Sequence, residues 1–383
     1  MERAELISLL RATGCAEERG EVIFLCDPKW SAKQRALAEE QMSKPETRNS
    51  KLTSGWLCIP TGGSSGGMKF ARHDECTLAA AVCGFCDHFD LGRVNAVDVL
   101  PAHHVSGLMA RVRCAATGGQ HVMWDWKRLE AGDAPSLKVR SARPSTEGDW
   151  VISLVPTQLQ RLLARPEMVA WLRCFDIIFI GGGPVWPELT ETAGREELRL
   201  SLSYGMTETA AMVAALRPDE FLAGGRSCGE ALPHVKATAD SDGVLRISGD
   251  SVFRGYWAEW NEGREFATQD LGRIDEHGHL HVLGRRDTVI ITGGEKVRPE
   301  EVEAALRASG EFSDVAIIGV PDAEWGEAVV ACYPADGRAP NVAKASAALA
   351  GAARPKRFVP VAPWPRNAQG KINRAALLAA LSN

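Results

Sequence analysis

Several short segments combine the residue types that bind phosphate, sugar and metal ions. The first, Thr-Gly-Gly-Ser-Ser-Gly-Gly-Met-Lys at 61–69, follows an apolar run at 56–59. Its glycines let backbone N–H groups approach an anion, its hydroxyls donate to phosphate oxygens and its lysine adds positive charge. It is not a Walker A loop, because neither Ser nor Thr follows the lysine. The segment fits phosphate binding or a flexible surface turn; the candidate residues are Thr61, Gly62, Gly63, Ser64, Ser65, Gly66 and Lys69.

A second segment, Ser-Tyr-Gly-Met-Thr-Glu at 203–208, follows the strand-like run 198–202. An aromatic ring, a hydroxyl and a carboxylate at a strand end can form a nucleotide and metal site. Tyr204 would stack on a base, Thr207 would contact phosphate and Glu208 would hold Mg²⁺. The alternative is a helix N-terminus at Thr207, since hydroxyl side chains cap helices.

Further along the chain, Asp270 closes the segment Thr-Gln-Asp at 268–270, and an aspartate on a short loop can bind both hydroxyls of a ribose. Gly-Arg-Arg-Asp at 284–287 and Gly-Gly-Glu-Lys at 293–296 follow it. Near the C-terminus, Pro-Arg-Asn-Ala-Gln-Gly-Lys at 365–371 ends in Lys371. A lone Gly-Lys is usually a solvated loop.

Two other groups of metal-ligating residue types favour structural interpretations. Cys83 and Cys86 form a single CxxC, and with Cys76 they share one helical face, which favours small buried apolar side chains. His277, His279 and His281 alternate along a strand, and an exposed strand face is favoured over a metal site.

Composition excludes several classes of function. The 383 residues are 45% hydrophobic and 24% charged, which suits a globular protein of two or three domains. A net charge of −5 leaves no basic surplus for nucleic acid. No apolar run approaches the roughly 20 residues of a membrane span, and the N-terminus lacks the pattern of a signal peptide. We expect a cytoplasmic protein without a membrane span.

The order of elements predicts an α/β fold in two parts. Strand-like runs at 56–59, 96–100, 151–155, 175–180 and 198–203 alternate with helix-like stretches at 76–90, 157–164 and 168–173. Short strands from about residue 243 indicate a β region that closes a large domain, residues 1–286. A hinge at Asp287 then leads to a small C-terminal α+β domain, residues 287–383, with helices predicted at 299–308, 342–353 and from Arg374.

Together, these motifs resemble the adenylate-forming superfamily of acyl-CoA synthetases, luciferases and peptide-synthetase adenylation domains. The phosphate loop matches with Met68 in place of the usual proline, and Tyr-Gly-x-Thr-Glu matches without change. The Thr-Gly-Asp motif appears with Gln269 in place of glycine, and the hinge and terminal Gly-Lys motifs are present. The phosphate loop begins at Thr61, much earlier than is usual in the family, so we expect a shortened N-terminal part of the large domain.

The resemblance implies a mechanism of two half-reactions that uses ATP, Mg²⁺ and coenzyme A. A carboxylate attacks the α-phosphate of ATP to give an acyl-adenylate, and a thiol then displaces AMP. Lys371 would bridge the carboxylate and phosphate, Glu208 would hold Mg²⁺, and Asp270 with Arg285 would hold the ribose. The small domain would then rotate about Asp287 and bring the thiol-channel residues Gly293, Gly294, Glu295 and Lys296 to the site. The remaining nucleotide contacts are expected at Gly182, Gly183, Ser203 and Gly205.

The acid-binding segments indicate the substrate class. The segment His-His-Val-Ser-Gly at 103–107 has no aspartate for an amino group, so an amino-acid substrate is disfavoured. The segments at 103–107, 155–159, 181–183 and 294–297 resemble the o-succinylbenzoate–CoA ligases of menaquinone and phylloquinone synthesis. The expected acid-binding residues are His104, favoured over His103, with Ser106, Gly107, Thr157 and Gly181.

Three alternatives stay open at this stage. The acid could be another aryl or short carboxylic acid, and the acceptor could be a carrier protein instead of coenzyme A. The chain could also be a catalytically weakened adenylate-binding protein, which Met68, Gln269 and the early phosphate loop suggest. The expected partners are small molecules, namely the acid, ATP and coenzyme A, and assembly into a homodimer is compatible with the resemblance.

Overall fold

The computed structural model describes residues 1–45, 55–62, 68–137, 148–261, 263–335, 339–366 and 372–381. In these ranges the chain forms the α-helices α1 (Arg3–Arg11), α2 (Ala32–Met42), α3 (Glu75–Phe89), α4 (Val105–Thr117), α5 (Trp126–Glu130), α6 (Pro156–Leu163), α7 (Pro166–Leu172), α8 (Pro187–Arg195), α9 (Pro218–Leu222), α10 (Pro299–Ala308), α11 (Val342–Ala345) and α12 (Arg374–Leu381). Short 3₁₀ helices span Thr207–Thr209, Arg286–Thr288 and Gly351–Ala353.

The strands form four sheets. They are β1 (Ala16–Arg19), β2 (Val22–Leu25), β3 (Leu57–Gly62), β4 (Met68–His73), β5 (Val94–Asp98), β6 (His121–Met123), β7 (Asp149–Leu154), β8 (Ile177–Ile180), β9 (Leu200–Met206), β10 (Ala211–Ala215), β11 (Glu230–Ala231), β12 (Val235–Ala239), β13 (Val244–Gly249), β14 (Gly255–Tyr256), β15 (Glu259–Trp260), β16 (Glu265–Ile274), β17 (Leu280–Arg285), β18 (Ile290–Thr292), β19 (Glu295–Val297), β20 (Ala316–Asp322), β21 (Gly326–Pro334) and β22 (Arg357–Val361).

A seven-stranded sheet with the order β11-β10-β9-β8-β7-β5-β6 is the centre of the large part of the molecule. Its strands β9, β8, β7, β5 and β6 are parallel. Helices α6, α7 and α8 cover one face, where Leu159, Met168 and Leu189 join the core. Helices α3 and α4 cover the other face through Phe85 and Cys114. Both faces are buried, which explains why these strands are continuous apolar runs in the sequence.

The same two helices also pack against a second, six-stranded sheet with the order β1-β2-β3-β4-β14-β15. Leu57 and Ile59 of β3 contact the side of α3 and α4 that carries Leu78 and Leu108. Cys58, between them in the strand, points to the opposite face, where α2 packs. This alternation buries β3 on both sides and fixes the hairpin that leads into the phosphate-loop segment.

A four-stranded sheet with the order β12-β13-β16-β17 adds the expected β region. Beyond it, β19-β18-β21-β20, with β22 paired to β21, forms the sheet of the C-terminal part. Helix α10 packs on one face through Val302 and Leu306, and α12 packs on the other through Leu377. The α/β class, with a large layered part and a smaller α+β part, is confirmed, while the boundary at Asp287 stays a prediction.

Two local predictions are wrong. The helix expected at 342–353 is instead α11 (Val342–Ala345), a turn and the 3₁₀ helix Gly351–Ala353, in which Gly351 has φ 57°. Alanine has the highest helix propensity, but propensity is outweighed by tertiary packing, here that of Leu349 and Ala353 on the core of the C-terminal part. The prediction that Cys76, Cys83 and Cys86 are small buried side chains is also wrong, because Cys76 and Cys83 are exposed.

Candidate active site

The site residues on β8 and β9 lie at the carboxyl edge of the parallel strands, where open α/β sheets bind ligands. The loop Gly181-Gly182-Gly183 follows β8. The hydroxyl of Ser203, near the end of β9, donates to the carbonyl of Ile180 at 3.2 Å, which ties the two strand ends together. The fold therefore brings the predicted nucleotide residues that follow β8 and those on β9 to the same edge of the seven-stranded sheet.

Tyr204 connects this edge to the four-stranded sheet. Its hydroxyl donates to Asp270 Oδ2 at 2.7 Å, across 66 residues of sequence. Burial raises the pKa of the Tyr204 hydroxyl, and the neighbouring Asp270 carboxylate raises it further, so the phenol stays protonated and donates. The structure thus brings together two predicted nucleotide residues from separate sheets.

Asp270 also faces the predicted ribose partner Arg285. The two residues are directly paired across β16 and β17, and their side chains approach to 3.4 Å between Oδ1 and Nη1. Arg285 also binds Asp287 through two hydrogen bonds of 2.9 Å, and these are the main cause of its raised pKa. A carboxylate held between a phenol and a guanidinium, opposite the end of β17, can accept hydrogen bonds from a ribose diol.

Gln269 does not disturb this arrangement. Along β16, Thr268 is buried and Gln269 is exposed. The hydroxyl of Thr268 accepts from the backbone N–H of Asp270 at 3.0 Å and donates to the carbonyl of Leu245 at 2.9 Å. Because side chains alternate along a strand, the Gln269 side chain points away from the Asp270 carboxylate.

Glu208 is the second predicted ligand-binding carboxylate, and only 8% of the residue is exposed. Its Oε1 accepts from the hydroxyl of Tyr256 at 2.8 Å and from Thr61 at 3.4 Å. Within the described residues, no hydrogen bond reaches Oε2. Mg²⁺ prefers one or two carboxylates together with phosphate oxygens and water, so a single carboxylate with one oxygen available fits a Mg·ATP site.

The backbone around Glu208 is held from both sides. The imidazole Nε2 of the fully buried His73 donates to the carbonyl of Thr207 at 2.7 Å, and the N–H of Phe253 donates to the carbonyl of Glu208 at 2.9 Å. Burial lowers the pKa of His73 to about 4, so its ring is neutral near pH 7. The predicted helix N-terminus at Thr207 is a single 3₁₀ turn, Thr207–Thr209.

A tight return of the chain follows this turn. Ala210 and Ala211 have φ of 51° and 84°, which is the left-handed region that non-glycine residues seldom adopt. A Cβ on Gly205 would lie 2.0 Å from the carbonyl oxygen of Ala211. The glycine of the Tyr-Gly-x-Thr-Glu motif is therefore required by close backbone approach, and the strained pair marks the segment as a candidate functional site.

The phosphate-loop segment is the connection between β3 and β4. Thr61 pairs with Lys69 and Gly62 with Met68 at the open end of this hairpin. Met68 thus lies in a strand, and its side chain packs on the core beneath α2. Gly63, Ser64, Ser65 and Gly66 lie outside the described residues. Lys69 Nζ lies 4.5 Å from the ring centre of Tyr256, close to Glu208.

The predicted acid-binding residues lie near the start of α4. His104 is the residue before the helix and is half-buried, while His103 is buried with its Nε2 3.7 Å from Asp27. The two imidazole rings are 4.2 Å apart, and burial lowers the pKa of His103. This difference in exposure supports His104 over His103, and that choice stays a prediction.

The other predicted acid-binding residues differ in exposure. Ser106 is exposed. A Cβ on Gly107 would lie 2.5 Å from the carbonyl oxygen of Pro101, so this glycine allows α4 to pack closely on the preceding loop. Thr157 lies in the first turn of α6, and Gly181 directly follows β8.

The predicted thiol-channel residues form a β-turn between β18 and β19. Gly293 and Gly294 have φ of 57° and 84°, as a two-residue hairpin with positive φ at both positions requires. The N–H of Gly293 donates to the carbonyl of Trp325 at 2.8 Å. Glu295 and Lys296 are exposed on β19.

Lys371 lies outside the described residues, but the residues that flank its segment are anchored. Arg366 and Ile372 form an isolated β-bridge. Arg366 pairs with Asp314, and Arg374 pairs with Glu303. Arg307 contacts both carboxylates, at 3.3 Å from Asp314 and 3.8 Å from Glu303.

This anchoring network reaches the large part of the molecule. The guanidinium of Arg307 lies 5.6 Å from the ring centre of Trp186. Trp186 stands just before α8 and three residues after Gly183. The anchors of the segment that contains Lys371 are therefore in contact with the loop that follows β8.

Two residues near Glu208 were not predicted from the sequence. Tyr256 lies on the short strand β14, and His73 ends β4. Neither residue lies in a motif with recognisable spacing, and the one local sequence feature that could have indicated Tyr256 is the glycine before it. Outside this site, His281 binds Asp275 at 2.7 Å and His277 is exposed, and no cluster of metal ligands occurs among the described residues.

Two family models match the chain. The model for AMP-binding enzymes covers residues 2–257, and the model for the C-terminal domain of AMP-binding enzymes covers residues 301–371. Within the described parts of the chain, no helix is both long enough and apolar enough to cross a membrane.

Curated relatives include 2-succinylbenzoate–CoA ligases. The protein from Enterococcus faecalis is 27% identical over 92% of this chain and 74% of its own length. The protein from Bacillus licheniformis is 32% identical over 73% of this chain and 60% of its own length. Indoleacetate–CoA ligase from Aromatoleum aromaticum is 30% identical over 83% of this chain and 66% of its own length. The chain thus spans less than two thirds of several relatives that it matches.

Solved structures show the same fold. The o-succinylbenzoate CoA synthetase of Bacillus subtilis, in complex with its acyl-adenylate, superposes with a TM-score of 0.73 at 22% identity, covering 98% of this chain and 81% of the other. ATP-bound MatB from Rhodopseudomonas palustris gives a TM-score of 0.71 at 26% identity, covering 86% and 68%. With the match of the AMP-binding model to more than half of the sequence, these likenesses show that the chain belongs to the family of AMP-binding enzymes.

Proposed function

We propose that the protein is an ATP-dependent acid–CoA ligase that converts o-succinylbenzoate to its CoA thioester through an acyl-adenylate. The observation that carries the proposal is that two carboxylates among the predicted nucleotide residues, Asp270 and Glu208, are each ordered by the hydroxyl of a tyrosine. Asp270 lies beside Tyr204 and Arg285. Glu208 accepts from Thr61 and from Tyr256, whose ring centre lies 4.5 Å from Lys69 Nζ. The names of the curated relatives support the choice of acid. The proposal includes a place in menaquinone or phylloquinone synthesis and a cytoplasmic location.

In the first half-reaction, a carboxylate oxygen of the acid attacks the α-phosphorus of ATP. The new P–O bond forms as the bond to the β-phosphate oxygen breaks, and pyrophosphate leaves with the electron pair. Both reactants are anions, so their repulsion must be neutralised where they meet. Lys371 supplies that charge in the proposal, and Lys69 with Thr61 binds the leaving phosphates. Glu208 would hold Mg²⁺, which would supply further positive charge at the phosphates.

Asp270 keeps the nucleotide in place during this step. Its carboxylate accepts from Tyr204 and faces Arg285, so both oxygens have donors before ATP arrives. When ATP binds, the ribose hydroxyls would replace some of these donors to Asp270, and Tyr204 would present its ring to the base. Since Tyr204 and Asp270 are already fixed by their mutual hydrogen bond, little conformational entropy is lost when ATP binds.

In the second half-reaction, the sulfur of coenzyme A attacks the acyl carbonyl. The C–S bond forms, the C–O bond to AMP breaks, and the thiol proton leaves to solvent. We propose that the part of the chain after Asp287 turns as a unit for this step, so that the residues around Gly293 and Gly294 face the adenylate. Asp287 lies in the short 3₁₀ turn Arg286–Thr288 that joins β17 of the four-stranded sheet to β18 of the C-terminal sheet, which supports a pivot at this position.

A second candidate is a ligase for another aryl acid. The observation that favours it is the 30% identity to indoleacetate–CoA ligase, which equals the identity to two of the 2-succinylbenzoate–CoA ligases. A weakened adenylate-binding protein is disfavoured, because Glu208, Asp270 and Arg285 are all present and the exposed side chain of Gln269 points away from Asp270.

Pyrophosphate release with Mg·ATP, coenzyme A and a panel of acids tests the proposal. The panel contains o-succinylbenzoate, benzoate, indoleacetate and acetate, and the thioester is identified by mass spectrometry. We expect strong release and a thioester with o-succinylbenzoate only. Release with indoleacetate or benzoate alone would retain the mechanism and reject the acid. ATP binding without release with any acid would reject the ligase activity.

A further inference from the structure

We propose that Tyr256 is a positioning residue that orients Glu208 toward the metal ion and Lys69 toward the phosphates of ATP. The inference rests on the proposed function, because it takes Glu208 as the Mg²⁺ ligand. Tyr256 lies outside the phosphate-loop, Tyr-Gly-x-Thr-Glu, Thr-Gln-Asp and hinge motifs. Its ring nevertheless lies between the two charged groups that would handle Mg·ATP.

The hydroxyl of Tyr256 selects one oxygen of Glu208. It donates to Oε1 at 2.8 Å, and Thr61 approaches the same oxygen at 3.4 Å. A carboxylate oxygen accepts and a tyrosine hydroxyl is protonated at neutral pH, so the phenol is the donor. With Oε1 occupied by two hydroxyls, Oε2 is the oxygen presented to the cation. Hydrogen bonds of this kind orient metal-binding carboxylates.

The ring of Tyr256 also restrains Lys69. The ammonium nitrogen lies 4.5 Å from the ring centre, within the range of a cation–π contact. This contact follows from strand pairing, since Tyr256 lies opposite Ala71 and Lys69 is two residues before Ala71 on the same face of β4. An exposed lysine has many rotamers, and this contact limits them.

The phenol keeps the two charges apart. Across the described parts of the chain, Lys69 and Glu208 form no ion pair with each other. A direct pair would neutralise the lysine that must face phosphate and the carboxylate that must face Mg²⁺. With a neutral ring between them, both groups are ordered and both retain their charge for the ligand.

The backbone fixes Tyr256 at this place. The N–H of Phe253 donates to the carbonyl of Glu208 at 2.9 Å, and the N–H of Trp257 donates to the carbonyl of Phe70 at 2.8 Å. One short segment therefore binds the backbone of Glu208 at one end and of β4 at the other. Its position is set by both of the elements whose side chains it orients.

The test separates the hydroxyl from the ring. Tyr256→Phe removes the hydrogen bond to Glu208 and retains the ring beneath Lys69, while Tyr256→Leu removes both. Binding of Mn²⁺ with a non-hydrolysable ATP analogue is followed by electron paramagnetic resonance, and binding of the analogue without metal is followed by calorimetry. Loss of a residue that orients a metal ligand typically lowers metal affinity by roughly 10–100-fold.

We expect Tyr256→Phe to weaken Mn²⁺ binding roughly tenfold and to leave metal-free nucleotide binding and the KM for the acid unchanged. Tyr256→Leu should weaken metal-free nucleotide binding as well, because Lys69 is released. Tyr333→Phe, in the C-terminal part, is the matched control and should change neither affinity. Thermal unfolding of each variant verifies that it is folded, and if Tyr256→Leu does not fold, Lys69→Met replaces it.

Glu208→Gln distinguishes the two ways in which the account can fail. If Glu208→Gln leaves Mn²⁺ affinity unchanged, the metal site of the proposed function is wrong. If Glu208→Gln abolishes Mn²⁺ binding while Tyr256→Phe binds Mn²⁺ like the wild type, the metal site stands and the role of Tyr256 is overturned.

Discussion

The carboxylates of the nucleotide site and those of the C-terminal part have different kinds of partners. Glu208 and Asp270 accept from the hydroxyls of Tyr256 and Tyr204, and Asp270 also lies 3.4 Å from one arginine, Arg285. Asp314 and Glu303 are instead paired with arginines, which we describe as the arginine anchors: Arg307, Arg366 and Arg374. A hydroxyl can be exchanged for a ligand at little cost, whereas removal of an arginine leaves a charge without its counter-ion.

This difference indicates which carboxylates bind ligands and which fix the chain. Only 3% of the Glu303 side chain is exposed, and burial raises its pKa against the effect of Arg374 and Arg307. Such a group is a structural ion-pair partner. Glu208 is also buried, yet its contacts are neutral hydroxyls, so it retains an uncompensated charge that a cation can satisfy.

The largest effect is expected from Lys371→Ala, which removes the cation whose flanking residues the arginine anchors hold. Loss of one preorganised charge at a transition state typically costs about 10²–10³-fold in rate, and we expect that loss in adenylate formation. The affinity for ATP should change little, because Asp270 and Tyr204 are intact. Single-turnover adenylation and ATP calorimetry measure the two effects, with exposed Lys127→Ala as control. A parallel loss in rate and affinity would contradict the assigned role.

A smaller effect is expected from Asp287→Pro, which stiffens the connection between the two compared regions. Proline fixes φ and restricts the residue before it, so rotation at this position should be hindered. We expect thioester formation to slow about tenfold and adenylation to stay within about twofold. Asp287→Ala removes the same pair with Arg285 without stiffening the backbone, and it serves as control. Stopped half-reactions measure both steps, and equal slowing by proline in both would reject the pivot.

The smallest effect is expected in the pH dependence of stability, through His73, which binds the backbone next to Glu208. The folded protein holds His73 with a pKa of about 4 instead of 6.5, so the unfolded chain binds this proton more readily. Stability from His73 is therefore complete above pH 6.5 and falls as the pH decreases toward 4, by roughly 3 kcal/mol at most. His73→Gln retains a donor for Thr207 and should flatten this part of the profile.

Denaturant unfolding between pH 7.5 and pH 4.5 measures the profile. His277→Gln, at an exposed histidine, is the control for a general effect of removing an imidazole and should leave the slope unchanged. An unchanged slope in His73→Gln would show that His73 is already protonated in the folded protein.

Much of the fold and several site residues could be predicted from the sequence, for local reasons. Strands such as β8 are buried on both faces and appear as apolar runs, and the motif glycines meet steric needs that no other residue satisfies, as at Gly205. The helix at 342–353 failed because alanine content reports propensity and says nothing of the packing that bends the chain there. Lys371 and Ser64 were predicted from motifs alone and stay predictions.

Tyr256, His73 and the arginine anchors could not be found in this way. Each acts through a partner far away in the sequence, such as Glu208, Thr207 or Asp314. Their local sequences have no unusual spacing, because strand register and domain packing alone bring them to their partners. Pairings of that kind become visible only in three dimensions.

The central claim is that carboxylates oriented by a tyrosine hydroxyl, such as Asp270 and Glu208, bind ligands, whereas carboxylates that are each held by two arginines, such as Asp314 and Glu303, stabilise the fold. Asp270→Asn and Asp314→Asn test it together, each measured for ATP affinity and for free energy of unfolding. Hydrogen bonds to charged groups contribute about 1.5–3 kcal/mol, so Asp270→Asn should weaken ATP binding roughly 10–100-fold with little change in stability. Asp314→Asn should lower the free energy of unfolding by about 2 kcal/mol and leave ATP affinity unchanged. The reverse pattern, or equal effects of both variants on both quantities, would contradict the account.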